Sequence, residues 1–158
     1  MKKFKAISSF LVLIFLLVSC GSDDGGGEIA TDLQVIGIWD LAEVNISSSQ
    51  DVDMDGTSST NLMDEVECIS GTILIDGDGV WTFEQTGISI TAITGGQYFA
   101  QCSGNDVTGT GAWSVNGSQI TFQGSTLLGT LSFSGDRLTN NVGDDLPGVR
   151  SYVYIRRE

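Results

Sequence analysis

The residues best suited to chemistry lie in one acidic loop, Asp-Val-Asp-Met-Asp-Gly-Thr, which begins at Asp51. Its carboxylates alternate at Asp51, Asp53 and Asp55, so three of them can converge on one hard cation. Gly56 permits the sharp turn that such loops need, and Thr57 is placed to offer its backbone carbonyl. The spacing therefore predicts a calcium site.

The ligand set of this loop departs from the usual twelve-residue pattern at its end. The last position, where a bidentate Glu is expected, is Leu62. Asp64 or Glu65 could supply the missing carboxylate if the chain folds back toward the loop. Without a cation the clustered carboxylates would repel one another. The alternative interpretation is a solvated acidic loop that binds no ion.

The other residues that could do chemistry point away from catalysis. Asp76 and Asp78 could act as paired carboxylates, but their Asp-Gly-Asp-Gly setting is typical of a hairpin turn. Asp144 and Asp145 are expected in a solvated loop. The chain contains no His, which excludes Ser-His and Cys-His nucleophile pairs and most zinc sites. We therefore expect a protein that is not an enzyme.

The charge of the chain limits its partners. Seven basic residues stand against 20 acidic ones, which gives a net charge of −13. Such a charge repels nucleic acid and anionic membrane surfaces, and it favours cations or basic partners. We expect no nucleic-acid partner.

The start of the chain predicts export and lipid anchoring. Residues 1–5 are basic, and the apolar run Phe10 to Val18 is shorter than the roughly 20 residues of a membrane-spanning helix. This pattern predicts a secretory signal, and the alternative is a retained membrane anchor. Leu17-Val18-Ser19-Cys20 resembles the lipobox of bacterial lipoproteins. The resemblance implies a signal peptide of residues 1–19, cleavage before Cys20 and attachment of lipid to its thiol.

The residues after Cys20 indicate where the protein is displayed. Gly21-Ser22-Asp23-Asp24 resembles the acidic export tag of surface lipoproteins of the Bacteroidota, and the alternative is an ordinary solvated linker. The resemblance implies an outer-membrane lipoprotein that is exposed on the cell surface. Residues 20–32 are Gly-rich and acidic, which predicts a flexible tether, and residues 33–158 form the domain. Removing residues 1–19 discards all three lysines and makes the net charge −16.

The two remaining cysteines are expected to pair. With Cys20 assigned to lipid, Cys68 and Cys102 are an even pair in an oxidising compartment, which predicts a disulfide. The alternative is two free buried thiols.

The composition of the domain predicts an all-β fold. Twenty-one Gly, a single Pro and many Thr, Ser, Val and Ile favour short strands joined by tight turns. A first strand is expected at Leu33 to Val44, a long loop at Asn45 to Asn61 and one short helix at Asn61 to Cys68. Further strands are expected at 72–75, 80–84, 87–93, 97–102, 107–115, 119–123, 126–134, 137–141 and 149–156. Hairpins in sequence order favour an antiparallel up-and-down β-barrel of about 8–10 strands.

The first strand carries a family resemblance. Gly37-Ile38-Trp39 is similar to the G-x-W motif that begins the first strand of lipocalins. The order of motifs from the lipobox onward resembles the lipocalin-like domain of small lipoproteins of the Bacteroidota. The resemblance implies a lipocalin-like barrel in which Arg150 or Arg156 crosses Trp39. The Thr-Asp-Tyr motif of lipocalins proper is absent.

The aromatic residues of the strands leave two functions open. They alternate with polar residues, which favours core packing, but several could instead line the mouth of a barrel that holds one small ligand. We expect a non-catalytic binder of a small apolar or glycan ligand, anchored to the membrane at Cys20. The alternative is a protein–protein interaction or accessory module with a filled barrel.

Overall fold

The computed structural model describes residues 31–142 and 148–158. The predicted signal peptide, Cys20 and most of the predicted tether lie outside these ranges, as do Asp144 and Asp145. Within the described ranges, no helix has the length and apolar character needed to cross a membrane.

The described residues form one helical turn followed by nine β-strands. The helical turn α1 spans Thr31–Val35, and a single 3-10 turn spans Leu62–Asp64. The strands are β1 (Gly37–Gln50), β2 (Ser59–Asn61), β3 (Gly71–Ile75), β4 (Val80–Ala92), β5 (Tyr98–Asn116), β6 (Gln119–Phe122), β7 (Thr130–Ser134), β8 (Arg137–Asn140) and β9 (Val149–Arg156).

Eight of these strands close into an antiparallel barrel. From β3 to β9 each strand pairs with its neighbour in sequence, and β1 pairs with β3 on one side and β9 on the other. The closing pair runs from Trp39 opposite Arg156 to Ile46 opposite Val149. Strand β2 pairs with the far end of β1. The predicted all-β, up-and-down barrel is confirmed, and the topology is compatible with a lipocalin-like fold.

In two places, two consecutive predicted strands form one long strand. The expected strands 80–84 and 87–93 are both part of β4, and 97–102 and 107–115 are both part of β5. A register shift between Thr86 and Ile88 absorbs the irregularity. A Cβ on Gly87 would lie 2.4 Å from the Ser103 hydroxyl oxygen, so this glycine allows close backbone approach and does not end the strand.

The start of the domain also differs from its prediction. Residues 33–35 belong to α1, because Val35 is fully buried and its carbonyl accepts a 2.8 Å hydrogen bond from Trp39 Nε1. Asn45 to Gln50 were expected in a loop but continue β1, where they pair with β2 and β9. The helix expected from Asn61 to Cys68 is reduced to the 3-10 turn, which Asn61 caps by accepting a hydrogen bond from the Met63 amide.

Aromatic side chains fill one end of the barrel. Trp39, Trp81 and Phe122 are at most 1% exposed, and the rings of Trp81 and Phe122 meet edge to face with centroids 5.6 Å apart. Aliphatic side chains from β3, β6, β7 and β8 complete this core: Ile73, Ile75, Ile120, Leu131 and Leu138 are fully buried. Their inward positions follow the two-residue period of the strands.

The arginine that crosses Trp39 is Arg156. Its Cζ lies 4.3 Å from the centroid of the indole, close enough for a cation–π contact. The guanidinium also donates hydrogen bonds to the Ile36 carbonyl and to Asp136. Gly37 adopts φ +147°, and a Cβ there would lie 2.9 Å from Arg156 Nη1. The glycine of the G-x-W motif therefore makes room for the guanidinium.

Two further ion pairs lie beside the β1–β9 seam. Arg137 of β8 makes a bidentate contact with Glu43, and Arg157 does the same with Asp40. These hydrogen bonds from the guanidinium groups hold the pKa of Glu43 and that of Asp40 below their ordinary values. Both pairs are partly exposed, so solvent screens them and they add little to stability.

The predicted disulfide between Cys68 and Cys102 is confirmed. It ties the segment after the 3-10 turn to β5 at a point where Cys102 lies opposite Ile88 of β4. Closing a loop between residues 34 positions apart is worth about 4 kcal/mol in the chain-entropy model.

We predict that Gly37→Ala lowers the free energy of unfolding by about 1–2 kcal/mol, because it strains the backbone and displaces Arg156 from Trp39. Urea denaturation followed by tryptophan fluorescence measures the change. Gly77→Ala is the matched control, since the nearest atom to its Cβ is Ile36 Cδ1 at 3.9 Å. The control should change stability by less than about 0.5 kcal/mol. Equal losses in the two variants would contradict this account of Gly37.

Candidate functional site

A cavity of about 340 Å³ lies in the part of the barrel that the tryptophans do not fill. Along β9 the inward positions run from Arg156 at the Trp39 end to Tyr154 and Tyr152, both of which line the cavity. Strand β4 follows the same order, from Trp81 in the core to Phe83 and Gln85 in the cavity wall. The alternation of the strands therefore places these side chains inside.

Most of the cavity wall is apolar. Its apolar side chains come from two strands and two loops: Phe83, Ile88, Val107, Leu127, Leu128 and Val142. Six polar side chains line the cavity. Thr86 and Ser103 make hydrogen bonds at exposed positions, and the deeper polar groups are the side chains of Gln85, Asn140, Tyr152 and Tyr154. Among the residues that the structure describes, none that line the cavity is charged.

The cavity reaches the surface beside the loop between β6 and β7. Strand β5 pairs with β6 only from Trp113 to Asn116. Its preceding residues pair with β4, and among the described residues they have no paired strand on the β6 side. Leu127 of the β6–β7 loop lines the cavity and is 53% exposed, which places the opening next to it. A hydrogen bond of 3.1 Å from Asn140 Nδ2 to the Leu127 carbonyl holds this loop in place.

Three of the deeper polar side chains in the cavity form hydrogen bonds with each other or with the backbone. The Tyr154 hydroxyl donates a 2.7 Å hydrogen bond to Gln85 Oε1, and Asn140 bonds to the loop as described. In the described residues, the Tyr152 hydroxyl has no hydrogen-bond partner. Every side-chain polar atom that is fully enclosed in these residues has a partner, so the Tyr152 hydroxyl must contact open space. Tyr152 is only 7% exposed, and the space that it lines is the cavity.

Burial disfavours ionisation of both tyrosines. It raises the pKa of Tyr152 from 10.0 to about 12. Burial also raises the pKa of Tyr154, and the neighbouring Tyr152 raises it further. Both phenols are protonated at neutral pH, as ordinary tyrosines are, and burial extends this protonated range to more alkaline pH.

We predict that stability falls as the pH rises above about 10, because the unfolded chain ionises Tyr152 there while the folded chain holds its proton up to about pH 12. The slope should be about 1.4 kcal/mol per pH unit for each such tyrosine. Urea midpoints measured at a series of alkaline pH values, together with the absorbance of tyrosinate, test this. Tyr152→Phe should reduce the slope, and an unchanged slope would show that Tyr152 is not a source of it.

The acidic loop brings together some of its predicted ligands. Carboxylate oxygens of Asp51, Asp53 and Glu65 lie within 4.8 Å of one another. Of the two candidates for the missing carboxylate, the fold therefore brings Glu65 into the group. Glu65 is only 6% exposed and accepts hydrogen bonds from the amides of Val52, at 2.7 Å, and Ser59, at 2.8 Å. It joins the two ends of the loop.

The other predicted ligands lie outside this group of carboxylates. Asp55 accepts a 2.6 Å hydrogen bond from the amide of Thr57, and Asp64 accepts one of 2.7 Å from the hydroxyl of Ser59. Asp51, Asp53 and Glu65 together can offer three carboxylates to a hard cation, and one of these, Glu65, is buried.

Sequence reasoning missed two residues of the cavity, Gln85 and Asn140. Both continue a run of apolar inward positions: Gln85 follows Trp81 and Phe83, and Asn140 follows Leu138. A polar residue at an inward position was the available signal. Asp76 behaves as predicted for a turn residue, since its carboxylate accepts hydrogen bonds from the amides of Asp78 and Val80.

The fold and the cavity define an eight-stranded antiparallel barrel with an apolar interior space. Comparison of the chain with protein-family models, curated proteins and solved structures found no match. Its function is therefore inferred from the geometry of the cavity and of the acidic loop.

Proposed function

We propose that this protein is a non-catalytic, lipocalin-like binding protein that holds a small apolar ligand in its barrel. The observation that carries the proposal is the cavity of about 340 Å³. Barrels of about eight strands have room for one small ligand, and ligand pockets typically measure about 300–1,000 Å³. A filled barrel, as expected for a pure interaction module, would leave no such space.

The chemistry of the wall favours an apolar ligand over a glycan. A glycan buries many hydroxyl groups, each of which costs free energy unless it is hydrogen-bonded. The deep part of the cavity offers four polar side chains, and two of these already bond to each other. The described wall also carries no carboxylate that could serve as a general acid or base, which supports binding without catalysis.

The test is binding of Nile red, an uncharged apolar dye whose fluorescence rises in apolar surroundings. The wild-type protein should bind it, and Val107→Trp, which fills part of the cavity, should weaken binding at least about tenfold. Val80→Trp is the matched control, because Val80 does not line the cavity and is 42% exposed. Circular dichroism confirms that each variant is folded.

Two outcomes of this experiment would contradict the proposal. A folded wild-type protein that leaves the dye unbound would favour the interaction module. Binding that is unchanged in Val107→Trp would place the dye outside the barrel.

We also propose that the acidic loop binds Ca²⁺ through Asp51, Asp53 and Glu65. The proximity of three carboxylates and the burial of Glu65 support this. The bound ion would offset the repulsion among these charges and stabilise the link between β1 and β2.

Calcium at about 100 times its dissociation constant should raise the melting temperature by about 5–10 °C, and a chelator should reverse the rise. Asp53→Asn should abolish the response. Asp78→Asn, in the β3–β4 turn, is the matched control and should retain it. A melting temperature that ignores both calcium and chelator in the wild-type protein would rule out the site.

We further propose that the protein is a lipoprotein anchored at Cys20 in the outer membrane and exposed on the cell surface. The lipobox-like residues 17–20 and the acidic residues after them support this assignment. Two or more acyl chains give stable anchoring.

Replacing Cys20 by Ser should move the protein from the membrane fraction to the soluble fraction of a cell that processes lipoproteins. Surface display should make the wild-type protein accessible to external protease in intact cells. A Cys20→Ser protein that stays in the membrane fraction would refute the anchor.

A further inference from the structure

Among the residues that the structure describes, none gives the cavity a counter-charge for an ionic ligand. Its described wall is free of charged side chains, although the chain as a whole has a net charge of −13. Moving an ion from water into such a space costs free energy that only a paired opposite charge recovers. An uncharged ligand avoids this cost.

The polar groups of the cavity offer donors in its deep part. Gln85 Oε1 is already occupied by the Tyr154 hydroxyl, so the Gln85 side chain has its N–H groups left to offer. Asn140 Nδ2 is occupied by the Leu127 carbonyl, which leaves the Asn140 oxygen as an acceptor. The Tyr152 hydroxyl is unpartnered in the described residues, and like any tyrosine hydroxyl it carries its proton at neutral pH. It is therefore available to donate.

An unused donor in an apolar space favours a ligand with an acceptor. Tyr152 is a buried residue of β9, which pairs with β1 on one side and β8 on the other. It stands among apolar side chains, where a hydrogen bond is stronger than in water. A ligand without an acceptor would leave the hydroxyl desolvated and unsatisfied, which costs binding free energy.

From these contacts we infer that the ligand is an uncharged molecule with an apolar body and a carbonyl-type oxygen that accepts a hydrogen bond from the Tyr152 hydroxyl. This inference rests on the proposed binding function and names the chemical class of ligand for the same cavity. Esters, ketones and amides with apolar chains belong to this class, whereas fatty-acid anions and alkylammonium cations do not.

Three probes that each contain ten carbon atoms test the charge preference on the wild-type protein. Calorimetry at neutral pH compares methyl nonanoate, decanoate and decylammonium, and the ester should bind at least about tenfold more tightly than either ion. The two ions serve different purposes. The acidic protein repels decanoate everywhere, but its surface attracts decylammonium, so weak binding of both identifies the uncharged cavity as the cause. An ion that binds as tightly as the ester would overturn the inference.

Tyr152→Phe tests the hydrogen bond. It should weaken binding of methyl nonanoate about three- to tenfold, because it removes one donor and preserves the ring. Tyr98→Phe is the matched control, since Tyr98 does not line the cavity, and it should leave the affinity unchanged. Circular dichroism and melting curves verify that both variants fold. An unchanged affinity in Tyr152→Phe, or an equal loss for ester and ions, would overturn the assigned role of Tyr152.

The outcomes separate this inference from the function on which it rests. If Nile red binds but the ester shows no advantage over the ions, the inference fails and the binding function stands. If neither Nile red nor the ester binds to the folded protein, both fail.

Discussion

The pairing of β1 with β9 is the constraint on which the rest of this structure depends. It joins residues more than 100 positions apart and leaves β1 bonded to β3 on its other side at Trp39 and Asp40. Closure turns every inward side chain toward one shared space. Arg156, opposite Trp39 in the seam, then lies over the indole and closes that end with Val35 and α1. The cavity is the remainder of the same interior.

The interior therefore divides into a filled end and a hollow end because of side-chain size and position. Large aromatic rings from β1, β4 and β6 lie at the filled end. The hollow end lies beside the part of β5 that pairs with β4 and not with β6. Tyr152 and Tyr154 stand in the hollow part, where burial disfavours their ionisation. The described wall is mostly apolar, and this is the observation on which the proposed apolar ligand rests.

Arg156 closes the Trp39 end of the interior, and none of the charged side chains that the structure describes lines the cavity. Arg137 and Arg157 pair with acids of β1 beside the closing seam, and Asp51, Asp53 and Glu65 meet at the end of the same strand. Glu65 is the buried member of this group, and it connects the acidic loop to the barrel through amide hydrogen bonds. Binding of a cation at this loop and binding of a ligand in the cavity would thus use separate parts of the molecule.

The sequence by itself determined the strand-rich fold, the order of the hairpins and the pairing of Cys68 with Cys102, because these follow from local turn chemistry, two-residue alternation and cysteine count. It also marked Asp51 and Asp53 as neighbours. Only the tertiary structure decided between Arg150 and Arg156, which are an even number of positions apart in the sequence: the register opposite Trp39 selects Arg156. The tertiary structure also decided that Glu65, and not Asp64, joins Asp51 and Asp53, and it alone revealed the cavity. Each of these depends on which residues the folded chain brings together in space, and the local sequence pattern carries no information about those spatial contacts.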